Sequence, residues 1–123
     1  MPKKTMEQLT ESMLYLLMAY RTGPLCGIDA AEWIARHSGG RVRLGPATLY
    51  TILAKFEAEG LLREVSVEGR KRTYAITGRG EAAYRAELER LETCLADAAS
   101  AHLERRPEDA AEEDSAPAAL PAL

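Results

Sequence analysis

Five cations and one helical face carry the chemistry of this sequence. Arg70, Lys71 and Arg72 are adjacent, and Arg41 and Arg43 flank Val42 just ahead of the stretch LGPATLYTILAKFEAEG. Guanidinium and ammonium groups grouped in this way suit phosphate, the guanidinium through a planar fork and the ammonium as a point charge. Within the stretch, Leu49, Ile52, Leu53 and Phe56 recur at helical spacing and form one apolar stripe. The opposite side carries Ala47, Thr48, Tyr50, Thr51, Ala54, Lys55 and Ala58. That side is small and polar with few carboxylates, so it suits close approach to a polyanion. Ala47, Thr48, Tyr50, Thr51 and Lys55 are candidates for base edges, because a methyl or hydroxyl there can meet a thymine methyl or a base acceptor. Arg41, Arg43, Arg70, Lys71 and Arg72 are the candidates for phosphate. Taken alone, the same helix also reads as an ordinary amphipathic core helix with an alanine-rich back.

The elements around these residues are marked at their ends. Pro46 fits the first helical position, Gly45 its N-cap, and Leu44 and Leu49 stand where a hydrophobic staple needs them. Gly60 suits the left-handed position after the helix, with Leu61 folding back on Phe56. Upstream, Thr10 caps a helix whose inner stripe is Met13, Leu16, Leu17 and Tyr20, with Leu9 stapled to Leu14; Thr22-Gly23-Pro24 breaks it. A second helix follows Gly27, with Ile28, Ala31, Ile34 and Ala35 inward and Trp33 at the boundary, and stops at Ser38-Gly39-Gly40. Beyond Gly60 the period falls to two: Leu62–Val67 and Arg72–Thr77 read as strands joined by Glu68-Gly69-Arg70-Lys71. Three helices followed by a hairpin with a cationic tip are the order of a winged helix-turn-helix. Thr77 can cap a last helix, in which Tyr84, Leu88, Leu91 and Leu95 follow heptad steps. That stripe suits pairing with a second copy, or alternatively packing back on its own domain.

Composition narrows the function classes. The 123 residues suffice for a modest core without metal or disulfide. The net charge of −3 averages two unlike parts: residues 1–80 hold 12 Lys+Arg against 8 Asp+Glu, and residues 81–123 hold 4 against 11. No run of eighteen apolar residues and no signal-peptide pattern occurs, so a cytoplasmic protein without membrane attachment is expected. Cys26 and Cys94 sit among apolar neighbours and are expected to be two buried, free, slowly reacting thiols. Only His37 and His102 are present, with no cysteine–histidine constellation, no G-x-S-x-G and no P-loop ending after GGRVRLGPAT. Catalysis, cofactors and a zinc site are therefore not expected.

LGPATLYTILAKFEAEGLL resembles the recognition-helix motif of the PadR family of transcriptional regulators, through Pro46, Thr48, Leu49, Tyr50, Leu53, Glu57, Gly60 and Leu61. RKRTYAITGRG is similar to that family's wing and last-helix start, through Tyr74, Thr77 and Gly80, and LTESMLYLLMAY with Gly23-Pro24 and Gly27 fits its opening. Ala47 stands where the family commonly has Gly, Lys55-Phe56 where it has Arg-Leu, and Cys26-Gly27-Ile28 where it often has His-Gly-Tyr. The resemblance spans roughly residues 9–103 and implies a dimeric winged-helix repressor, often responsive to small molecules. The expected fold is mainly α with a small β-hairpin wing. Its expected division is a DNA-binding winged helix-turn-helix over 1–78, a dimerisation helix over 79–105, and a disordered acidic Pro/Ala-rich tail over 106–123. A two-fold dimer seamed by Tyr84, Leu88, Leu91 and Leu95 requires a pseudo-palindromic operator in double-stranded DNA. The rival is a winged helix serving only protein interaction, whose third helix would present apolar anchors in place of alanines and threonines.

Overall fold

Helix ends written into the sequence set the frame of the computed structural model, which describes residues 8–104. The Thr10 hydroxyl accepts from the Met13 amide at 3.2 Å and starts α1 (Glu11–Tyr20). β1 (Leu25–Cys26) leads directly into α2 (Gly27–His37). α3 (Pro46–Glu59) begins with Gly45 as cap and Pro46 in the first turn, as its sequence requires. Its stop is a complete Schellman motif: Gly60 takes φ 78°, its amide donates to Glu57 O at 3.1 Å, and the Leu61 amide donates to Phe56 O at 2.8 Å. β2 (Leu62–Glu68), β3 (Lys71–Ile76) and α4 (Gly78–Leu103) complete the order.

Met13, Leu16, Leu17 and Tyr20 of α1 meet Ile34 of α2 and Leu49, Ile52, Leu53 and Phe56 of α3, all buried, with Leu62 and Tyr74 from the hairpin beneath them. The stripe of α2 is turned from the one expected: Gly27, Ala30 and Ile34 are buried, while Ile28 is exposed and Ala31 and Ala35 are half-buried. One residue of offset is about 100° of helix rotation, which carries Ile28 from the core to the surface. Trp33 is half-buried at the boundary, its ring stacked on His37 at 4.4 Å. After α2, the Ser38 hydroxyl accepts from the Val42 amide at 2.9 Å, and Val42 is buried between exposed Arg41 and Arg43.

The sheet has three strands in the order β1-β3-β2, all antiparallel, where the sequence predicts only a hairpin. Leu25 pairs with Tyr74 and Cys26 with Thr73. The hairpin strands extend one residue further toward the tip than predicted, so Glu68 faces Lys71 across a turn of Gly69 and Arg70, with Gly69 at φ 65°. The register shifts between Glu64 and Ser66, a bulge at Val65 that increases local twist.

Thr77 joins three segments. Its hydroxyl donates to Gly60 O at 2.6 Å and accepts from the Gly80 amide at 3.0 Å, while its own amide donates to Leu61 O at 3.1 Å. It thus caps α4 as expected. Arg21, just past α1, pairs with Glu81 at 2.7 Å and lies over the Tyr84 ring at 5.1 Å. The chain divides into a unit ending at Glu89 and a second beginning at Arg90. In the second unit, every described residue from Glu92 to Glu104 is exposed. The expected disorder over 106–123 and the expected fraying before Gln8 concern residues outside those described.

Candidate nucleic-acid interface

The face of α3 turned away from the core is the one the periodicity singled out. Ala47, Thr48, Tyr50, Thr51, Ala54, Lys55 and Ala58 are all exposed, because Leu49, Ile52, Leu53 and Phe56 are buried on the opposite side, where α3 meets α2 and β2. Tyr50 stands out at 52% exposure. Pro46 leaves the first turn without one amide, and Gly45 provides no side-chain cap, so the remaining first-turn N–H groups are open to an anion.

The five cations differ in how far they are already engaged. Arg70 and Lys71 are exposed at the wing tip and form no ion pair among the described residues. Arg72 is one strand position further in and pairs with Glu64 at 3.1 Å. Arg43 donates from Nε to Gly40 O at 3.2 Å. Arg41 is the most committed: Nη1 donates to Glu11 at 2.7 Å, Nη2 to the Tyr15 hydroxyl at 2.9 Å, and the guanidinium lies over the Tyr15 ring. Those bonds, the Glu11 carboxylate foremost, push the Arg41 pKa above its ordinary value. All of these pairs are exposed and exchangeable for phosphate at small cost.

Two clefts open on this surface. One, of about 510 Å³, lies between the start of α2 and the wing, lined by Cys26, Ile28, Tyr50, Arg70, Arg72 and Tyr74 among others. The other, of about 380 Å³, lies between α2 and α3, with Ile28, Arg43, Leu44, Pro46 and Tyr50 in its walls. Ile28 and Tyr50 border both. Sequence reasoning missed Ile28 because an apolar residue at helical spacing was assigned to the core.

The proposed seam residues fall in different settings. Tyr84 is buried in the first unit under Arg21, Leu88 and Leu91 are half-buried, and Leu95 is 72% exposed. Cys94 is also exposed and Cys26 half-buried, so the expectation of two buried thiols is corrected. Cys94 flanks the leucine stripe, one turn from Arg90, whose Nη1 is 3.8 Å from its sulfur. Among the described residues no group of three or more His, Cys, Asp or Glu could hold a metal, and no helix is long and apolar enough to cross a membrane.

A helical core, a third helix with a small exposed face and a cation-tipped β wing define a winged-helix fold. The model of the transcriptional regulator PadR-like family matches residues 13–86, and the chain belongs to that family. It is 37% identical over 70 residues to an uncharacterised 37.1 kDa protein in transposon TN4556 of Streptomyces fradiae, covering 57% of this chain and 20% of that protein. The chain thus spans about a fifth of that curated relative. A transcriptional regulator from Clostridium thermocellum superposes with a TM-score of 0.65 at 22% identity, covering 72% of this chain and 87% of the other. BpsR of Bordetella bronchiseptica, whose DNA binding is regulated by 6-hydroxynicotinic acid, superposes with a TM-score of 0.58 at 21% identity, covering 74% and 61%.

Proposed function

We propose that this regulator is a cytoplasmic, dimeric repressor that binds a pseudo-palindromic operator in double-stranded DNA and is released by a small-molecule or other signal. The observation that carries it is the pairing of an exposed α3 face, on which only Tyr50, Lys55 and Glu57 are large, with the uncommitted Arg70 and Lys71 of the wing. Ala47, Thr48, Tyr50, Thr51 and Lys55 read base edges in the major groove. Arg70, Lys71 and Arg72 hold phosphates from the wing, and Arg41 and Arg43 from the approach to α3. Leu88, Leu91 and Leu95, with Tyr84 at the near end, form the seam between copies, and the two-fold axis sets the half-sites about one or two helical turns apart. A ligand-controlled neighbour on the same fold, BpsR, makes a small-molecule signal part of the proposal.

The test is binding to duplex DNA from upstream of the protein's own gene, followed by footprinting. Arg70→Ala with Lys71→Ala is expected to weaken binding to all sequences alike and to flatten the salt dependence by roughly one slope unit per lost phosphate contact. Thr51→Ala is expected to change sequence preference and leave the salt slope intact. Wild-type behaviour in both variants would move the interface elsewhere.

A further inference from the structure

Ile28 is an aliphatic side chain 58% exposed in the first turn of α2, beside a tyrosine 52% exposed on α3. Gly27 brings them together. A Cβ at Gly27 would lie 2.9 Å from Leu53 Cδ1, 3.4 Å from Leu49 Cδ2 and 3.5 Å from Tyr50 Cε1, so the start of α2 rests directly on α3. Ile28 and Tyr50 then form an apolar ridge separating the two clefts. Arg70, Lys71 and Arg72 line the far side of one cleft, and Arg43 stands on the other. Asp29 and Glu32 occupy the α2 walls, where they repel phosphate and keep a DNA backbone toward the arginine-bearing sides.

A duplex laid across this surface places its two charged backbones toward the cations and the base edges of its major groove toward the ridge. The apolar group on those edges is the thymine 5-methyl. We propose that Ile28, acting with Tyr50, is a base-reading residue whose partner is a thymine methyl. The assignment rests on the DNA-binding role proposed above. It adds to the α3 residues a contact from α2 that carries no hydrogen bond and no charge.

The full chain is used to select its preferred duplex from a random-sequence pool. Each thymine of that duplex is then replaced singly by deoxyuridine, which removes only the methyl. Wild-type protein is expected to lose roughly fourfold in affinity at one position per half-site, the value of one buried carbon group. Ile28→Ser binds the thymine and uracil duplexes alike there, and Ile28→Val restores the difference. The salt slope is unchanged in both variants, because no phosphate contact is lost. Ile28 is exposed, so both variants are expected to fold, and thermal unfolding of each checks this.

If the wild type selects a duplex but ignores every methyl, or if Ile28→Ser keeps the wild-type response to methyl removal, the role of Ile28 is overturned while the DNA-binding role stands. If the chain binds no duplex at all, both are overturned, and the ridge becomes a docking face for another protein.

Discussion

The Tyr20 hydroxyl is buried and makes no hydrogen bond among the described residues. Burial is the main cause that pushes its phenol far above the ordinary value, with Cys26, Tyr74, Asp29 and Tyr50 adding to the effect. The folded state therefore keeps this proton when the unfolded chain, near pH 10, begins to release it. Stability from this group is complete below about pH 10 and falls as pH rises beyond it. Tyr20→Phe is expected to remove an unsatisfied group worth about 1–3 kcal/mol, and so to match or exceed wild-type stability at pH 7. Urea unfolding at pH 7 and above pH 10 measures both effects, the variant losing less at the alkaline end. A clear loss at pH 7 would show that the hydroxyl has a partner. At this scale the sequence was legible where a residue's role is local: Thr10, Pro46 and Gly60 all do what their side chains dictate. Ile28 was not legible, because the rotation of α2 is set by the contact of Gly27 with Leu49 and Leu53, residues more than twenty positions away.

Elements show the same division. α3 was readable to the residue because both its ends are coded within it, and the hairpin to within one residue at its ends because its period and turn are local. β1 escaped notice: two residues carry no period, and Leu25 and Cys26 become a strand only when Tyr74 and Thr73 are alongside. The bulge at Val65 likewise follows from pairing rather than from the residue itself. Two glycines at the start of α4 separate local from tertiary demands. An added Cβ at Gly78 meets nothing within 4 Å, so Gly78→Ala should be neutral or stabilising by up to about 1 kcal/mol. At Gly80 the same carbon would strike the Leu61 carbonyl and lie 2.7 Å from Ile76 Cγ1, so Gly80→Ala should cost about 1–3 kcal/mol despite favouring a helix. Chemical denaturation of the pair distinguishes the two demands, and equal effects would exclude the close crossing.

For the whole molecule, the question is what covers the last helix. Leu91 and Leu95 lie in the second unit, Leu95 almost bare, and pairing with a second copy would bury them. Two leucines on each of two chains supply about 6–12 kcal/mol, against an association cost estimated at roughly 4–15 kcal/mol. Leu91→Glu with Leu95→Glu is expected to sediment as a monomer at micromolar concentration, to unfold thermally as the wild type does through residue 77, and to lose most operator affinity. A wild-type monomer that holds its operator tightly would remove the two-fold arrangement. The heptad steps of this helix are visible in the sequence, and Tyr84, at their near end, is buried in the first unit under Arg21.

The Thr77 junction has a mechanical consequence. The last carbonyls after α3 and the first amides of α4 meet on one residue, with the Leu61 backbone pressed against Gly80. There is no slack between them: a tilt of the first turn of α4 has to be taken up by the last turn of α3 or by breaking the Thr77 bonds. The joint works as a short crank, in which the first turn of α4 bears on the C-terminal end of α3.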